Sequence, residues 1–210
     1  MRKPSKHLAY YAVLEALAQP GCFLCTLIAD GTRRYLRFLL NEFVNDPGFR
    51  EKWRASRGFC HRHSWMMADA PEALGLGILY LDLVKLYGKE LLERPSGMAC
   101  PVCAVEEREL AGHLSAIVGH WPEQQLQDVF EKSDGLCGPH FRASMRVIAD
   151  EGPREAIRRV STRGMAELQS RLTQLIESFD YRNPAAEDEA VRRAWQSAIE
   201  RMVGARDTDR

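Results

Sequence analysis

The chain has 210 residues, 45% of them hydrophobic, with 29 basic and 29 acidic side chains and a formal net charge of zero. That length buries a core without disulfide staples. The neutral balance gives no basis for a general nucleic-acid surface or an anionic-membrane surface.

The N-terminal "MRKPSKHLAYYAVLEALAQ" starts basic, but Tyr, Glu and Gln interrupt its apolar residues. It lacks the continuous apolar core and small-residue cleavage site of a signal peptide, so the expected compartment is cytoplasmic, where thiols stay reduced. The segment reads as a helix that stops before Pro20-Gly21. "CTLIADGTRRYLRFLLNEFV" then spaces Leu27, Ile28, Tyr35, Leu36, Leu39 and Phe43 as one helical face. "DPGFREKWRAS" predicts a short helix or turn, and a further helix starts near Cys60 and ends before Pro71. "PEALGLGILYLDLVKLYGKELLE" has Pro71 in its first turn and is apolar nearly all round, which predicts a central core helix. Its best apolar stretch, residues 74–87, is short and carries Asp82 and Lys85, so no membrane span is expected. The same order then recurs. It ends in the amphipathic "PREAIRRVSTRGMAELQSRLTQLIESF" and, after "DYRNP", the helical tail "AAEDEAVRRAWQSAIERMV" and a frayed "ARDTDR".

The recurrence is most visible at the cysteines. Cys22 and Cys25 fall on Cys100 and Cys103 at an offset of 78, and Cys60 and His63 fall on Cys137 and His140 at 77. Trp53 matches Phe130, Ser56 matches Ser133, Gly58 matches Gly135 and Phe59 matches Leu136. The expected organisation is a single all-α domain over 1–210. It is built from a tandem, pseudo-twofold duplication with units 19–94 and 97–180, an N-terminal extension, and a C-terminal helical extension over 181–206.

Each C-x-x-C follows a breaker, Pro20-Gly21 or Pro95-Ser96-Gly97, and precedes an apolar-periodic helix. Residues i and i+3 share a helix face, and thiolates at a helix start gain from the dipole and from free N–H groups. Pro101 suits a first helical position. Cys60/His63 and Cys137/His140 repeat that spacing at a second helix start, with Gly58 and Gly135 two residues ahead to turn the chain. Two such starts facing each other present three thiolates and one imidazole, a usual composition for structural zinc. Two Zn2+ are therefore expected. The grouping written first is Cys22, Cys25, Cys60 and His63 at one site, and Cys100, Cys103, Cys137 and His140 at the other. An exchange of partners between repeats uses the same spacing and stays open.

Other readings compete with this one. Six cysteines suit a disulfide framework, but chain size, the missing signal and the matched histidines count against it. Buried small apolar cysteines do not explain why each His keeps its place. A redox C-x-x-C sits near a βαβ pattern, which is lacking here. His61 competes with His63, but its counterpart is Gly138, which cannot ligate. His7, His113 and His120 read as solvated helix positions, and Tyr10, Tyr11, Tyr35, Phe43, Tyr80 and Tyr87 as core. Glu15, Asp30, Glu42 and Asp82 read as surface groups, the alternative being paired carboxylates for acid–base work.

At "GCFLC", "VNDPGFREKWRASRGFCHRHSW", "ACPVC", "DGLCGPH" and "FDYRN" the chain resembles a prokaryotic family catalogued only as a domain of unknown function. Members carry C-P-x-C, then G-F-C-x-x-H, an intervening NDP segment and a DYR stretch. The resemblance covers most of residues 7–200 and departs at Phe23, where Pro is the family's residue. It implies the duplicated architecture and leaves activity, substrate and metal open.

Three functional classes follow. The first is a non-enzymatic scaffold or binding module with two structural zinc ions and a protein or small-molecule partner, without nucleic acid or membrane. The second is an iron–sulfur redox or sensor protein, although four cysteines are the common cluster set. The third is an enzyme using a Zn–thiolate or a separate helical pocket. Four ligands per site argue against an open catalytic position, and no nucleophile elbow, P-loop, dinucleotide fingerprint or H-E-x-x-H occurs.

Overall fold

A computed structural model describes residues 8–69, 73–89, 100–180 and 188–205. His7, Pro71, the Pro95-Ser96-Gly97 breaker, the tyrosine and arginine of DYR, and the final "RDTDR" lie outside the described residues, as does the side chain of Tyr87.

Every regular element among the described residues is a helix. The order is α1 (Leu8–Leu17), α2 (Phe23–Glu42), α3 (Pro47–Ala55), α4 (His61–Ala68), α5 (Ala73–Lys89), α6 (Pro101–His120), α7 (Gln124–Lys132), α8 (Gly138–Val147), α9 (Glu151–Glu177), α10 (Glu189–Arg192) and α11 (Ala194–Val203). The duplication is explicit in these bounds: α2 to α5 recur as α6 to α9, with α2 and α6 both 20 residues and α3 and α7 both nine. Local chemistry sets several starts. Asp46 caps α3 by accepting from Phe49 N at 2.6 Å, with Pro47 at the first position. Asp150 caps α9 through Gly152 N at 3.1 Å, and Asp188 caps α10 through Ala190 N at 2.8 Å. The tail predicted as one helix breaks at Arg193, whose φ of −95° and ψ of 5° fall outside helical geometry.

The described chain divides into two compact units. One holds the residues up to Leu27 and from Leu110 onward, and the other runs Ile28–Glu109. These are not the sequence repeats, because the divisions fall inside α2 and α6.

In the Ile28–Glu109 unit the core forms around Trp53 of α3. Leu36, Leu39, Met67, Leu79 and Val102 belong to the same buried cluster. The Trp53 indole N–H donates to Leu79 O at 2.9 Å, so the one polar atom of a buried ring is satisfied. Asp82 was read as a surface group, yet its side chain is only 12% exposed because Arg50 grips both carboxylate oxygens and Arg54 adds a third bond. This bidentate pair ties α3 to α5 and holds the carboxyl below the usual range, chiefly through Arg50. The reading of α5 as buried all round is also corrected. Leu79 and Leu83 are buried, whereas Leu74, Leu81 and Val84 face outward, because α3 covers only one side.

In the other unit α9 packs against α7, α8, α10 and α11, and α1 against α7. Phe130, the counterpart of Trp53, is fully buried and meets Phe23 and Trp121 edge-on at 5.9 and 5.5 Å. His120, read as solvated, is buried. Its Nδ1 lies 2.9 Å from Glu123 Oε1, the Tyr10 ring covers it at 4.6 Å, and the Tyr10 hydroxyl donates to Glu123 Oε2 at 3.0 Å. Satisfied partners make that burial tolerable. His113 is half-buried, Tyr11 and Phe43 are exposed, and Glu15 and Glu42 are on the surface as expected.

Candidate metal centres

All four cysteine-led motifs occupy the same place on a helix. The carbonyls of Cys22, Cys60, Cys100 and Cys137 accept from the N–H of Thr26, Ser64, Ala104 and Phe141, the first bond of each helix. The leading cysteine is thus the capping residue, and Cys25, His63, Cys103 and His140 stand three positions inside. Neither Cys60 nor Cys137 uses its side chain as a cap, which leaves its sulfur free for another role. Gly58 and Gly135 turn the chain into these starts at φ +84° and +78°, in the left-handed region that favours glycine.

The structure brings the eight side chains together as two sets, Cys22, Cys25, Cys137 and His140, and Cys60, His63, Cys100 and Cys103. The grouping within repeats is therefore corrected in favour of the exchanged one. The reason lies in element length. Helix α2 runs on for about 26 Å past Cys25, at about 1.5 Å per residue. The nine residues of α3, between tight turns, do not carry it back. The C-x-x-H of one repeat meets the C-x-x-C of the other, and each set falls inside one compact unit.

Distances fit a tetrahedral ion. In the first set Cys25 and Cys137 place their sulfurs 3.7 Å apart, and His140 Nδ1 lies 3.5, 3.4 and 3.3 Å from Cys22, Cys25 and Cys137. In the second, Cys60 and Cys103 sulfurs are 3.8 Å apart, and His63 Nδ1 lies 3.2, 3.5 and 3.5 Å from Cys60, Cys100 and Cys103. Bonds of about 2.3 Å to sulfur and 2.0–2.1 Å to nitrogen at tetrahedral angles imply roughly 3.8 Å between sulfurs and 3.5 Å from sulfur to nitrogen. All six cysteines are free thiols, so no disulfide competes.

Electrostatics agree with a cation at each point. Burial presses against a charge on His140, yet the sulfurs of Cys137, Cys22 and Cys25 carry its pKa up to about 12. Burial likewise opposes a charged His63, but Cys100 and Glu106 raise it to about 10. Burial also opposes a Cys100 thiolate, while His63 and the backbone N–H groups of Cys60, Cys103 and Val102 bring it down to about 6. Burial and the neighbouring Cys100 charge push Cys103 up to about 12. Each pocket thus gathers positive charge onto an imidazole among sulfurs, the field a metal ion would satisfy.

Around the first set, Ala205 N–H donates to Cys25 Sγ at 3.4 Å, and Gly21 N–H to Asp134 at 2.7 Å. Around the second, Glu106 reaches His63. Sequence reading missed Glu106, although it stands three residues after Cys103 on the same helical face. His61 is exposed, as its Gly138 counterpart suggested. A shallow recess of about 430 Å³ lies between the end of α1 and α7, lined by Leu17, Pro20, Val129, Lys132 and Ser133 among others. None of the eight Cys and His side chains reaches it.

Comparison with known families gives two matches along the chain. Residues 5–94 and 90–209 each match DUF6062, a family of unknown function. The chain belongs to this family. The double match carries the same duplication as the helix order and the paired motifs. No curated protein and no solved structure matches the chain. Among the described residues no helix is long and apolar enough to cross a membrane.

Proposed function

We propose that this member of DUF6062 is a helical scaffold held by two structural zinc ions, one bound by Cys22, Cys25, Cys137 and His140 and the other by Cys60, His63, Cys100 and Cys103. The observation that carries the reading is the closure of each set: three sulfurs and one Nδ1 whose donor atoms all lie within 4.8 Å of one another. Four protein donors fill a tetrahedral ion and leave no position for a substrate on it, so the sites favour a structural role. A metal there joins two helix starts, one from each repeat, and its binding energy becomes folding energy. The scaffold then serves as a binding module for a protein or small-molecule partner in a reducing, cytoplasmic setting.

Elemental analysis and absorption spectra of anaerobically purified protein test this. Two zinc per chain and a colourless solution are expected. Iron with sulfide and visible absorption would establish the iron–sulfur reading instead. Disulfides within the C-x-x-C pairs under reducing conditions would refute metal binding altogether.

A further inference from the structure

The second centre has a polar support around its imidazole that the repeat does not reproduce. Glu106 Oε1 accepts from the Thr32 hydroxyl at 2.9 Å, pairs with the Arg62 guanidinium, and lies 3.1 Å from His63 Nε2. Thr32 is 1% exposed and the Glu106 side chain 13%. His63 is fully buried, and its Nε2 has no hydrogen-bond partner of good geometry although this oxygen is the close acceptor beside it. The repeat offsets place Glu106 on Ile28, Thr32 on Leu110 and Arg62 on Pro139. None of those three side chains can accept or donate a hydrogen bond. The duplicated ligand sets match residue for residue, while these supporting positions have diverged from polar to apolar.

Resting on the metal reading above, we propose that Glu106 is the positioning carboxylate of the second centre. It keeps the remaining imidazole proton of His63 on Nε2, so that Nδ1 presents its lone pair to the ion. Thr32 and Arg62 in turn hold Glu106. A metal on Nδ1 requires the proton on Nε2, where Glu106 Oε1 at 3.1 Å is the carboxylate oxygen placed to accept it. Such carboxylates fix the tautomer and raise ligand basicity, and their loss weakens metal affinity about 10–100-fold. The two centres are accordingly inequivalent, and Glu106 acts on one of them only.

The test uses the full chain loaded with cadmium-113, followed by NMR and by chelator competition. Wild-type protein should give two resonances and two bound ions. Glu106→Ala should move one resonance and weaken one site by roughly 10–100-fold, leaving the other unchanged. Glu106→Gln keeps an acceptor of the same shape without the charge, so it should move the same resonance with a smaller loss. It also serves if the alanine variant fails to fold. A merely structural role would lower the thermal midpoint without moving a single resonance. Two unmoved resonances with unchanged affinities in Glu106→Gln would overturn the proposal, as would equal weakening of both sites. Failure of the metal reading itself would show earlier, as wild-type protein that takes up no cadmium.

Discussion

Cys25 and Cys137 are separated by 112 residues in sequence, yet their sulfurs lie 3.7 Å apart. Each helix start therefore finds its partner in the other repeat, and losing one ligand should release thiols far away in the chain. Cys137→Ser is expected to lose one of two bound metals. It should expose Cys22 and Cys25 to alkylation under native conditions, while Cys100 and Cys103 stay protected. Mass-spectrometric mapping of the modified cysteines reads this directly. Labelling of Cys100 and Cys103 in that variant would restore the grouping within repeats.

The ligand residues and their helix-start positions were legible in the sequence because spacing alone encodes them. Their pairing was not. Cys25 precedes Cys60 by 35 residues and Cys103 precedes Cys137 by 34, and either grouping uses the same numbers. What decides is the rigid length of the helix after each C-x-x-C, which a spacing rule does not weigh. His120 was misread for a related reason: its cover is Tyr10 of α1, a non-local contact. Asp82 was misread because a carboxylate on an apolar helix reveals nothing of the two arginines one turn apart on α3. The apolar run of α5 overstated its burial, since composition does not show how many sides of a helix are covered.

Metal uptake at the second centre should release protons. His63 keeps its proton up to about pH 10 and Cys103 up to about 12, so both must lose one to bind an ion at pH 7. At least two protons per ion are expected at this site. The apparent affinity should then rise by roughly 100-fold per pH unit near neutrality. Lowering the pH returns protons to the ligands and removes the stability that the metal confers. Below about pH 6 Cys100 also protonates, and the dependence steepens. A pH-indicator titration during zinc addition to the Cys137→Ser variant, which keeps only this site, measures the count, and fewer than two protons per ion would contradict it.

Removing the metal by chelation should lower stability. An ion present at a hundred times its dissociation constant stabilises a folded chain by about 2.7 kcal/mol per site. For a chain of this length about 1 kcal/mol moves the melting midpoint by roughly 2–4 °C. Removal from one site should therefore lower the midpoint by about 5–10 °C, with a larger fall when both are emptied. Calorimetry before and after chelator treatment, with zinc re-addition as the control, checks this. An unchanged midpoint in verified metal-free protein would exclude a structural role.

The two turn glycines should differ in what a methyl group does to them. Both have positive φ, so alanine costs about 1–2 kcal/mol at either position on backbone grounds alone. At Gly58 the added Cβ would meet Leu83 Cδ1 at 2.9 Å, the movable tip of a side chain. At Gly135 it would meet Ser161 N and Cα at 3.0 Å, the backbone of α9, which cannot step aside without disturbing the bond from Leu136 N to Ser161 Oγ. Gly135→Ala should therefore be the more destabilising change, and Gly58→Ala should stay near the backbone cost. Because Gly135 stands two residues before Cys137, its replacement should also weaken the first centre, detected as faster alkylation of Cys22 and Cys25 with Cys100 and Cys103 still protected. Equal melting midpoints for the two variants would show that α9 yields as easily as the Leu83 side chain.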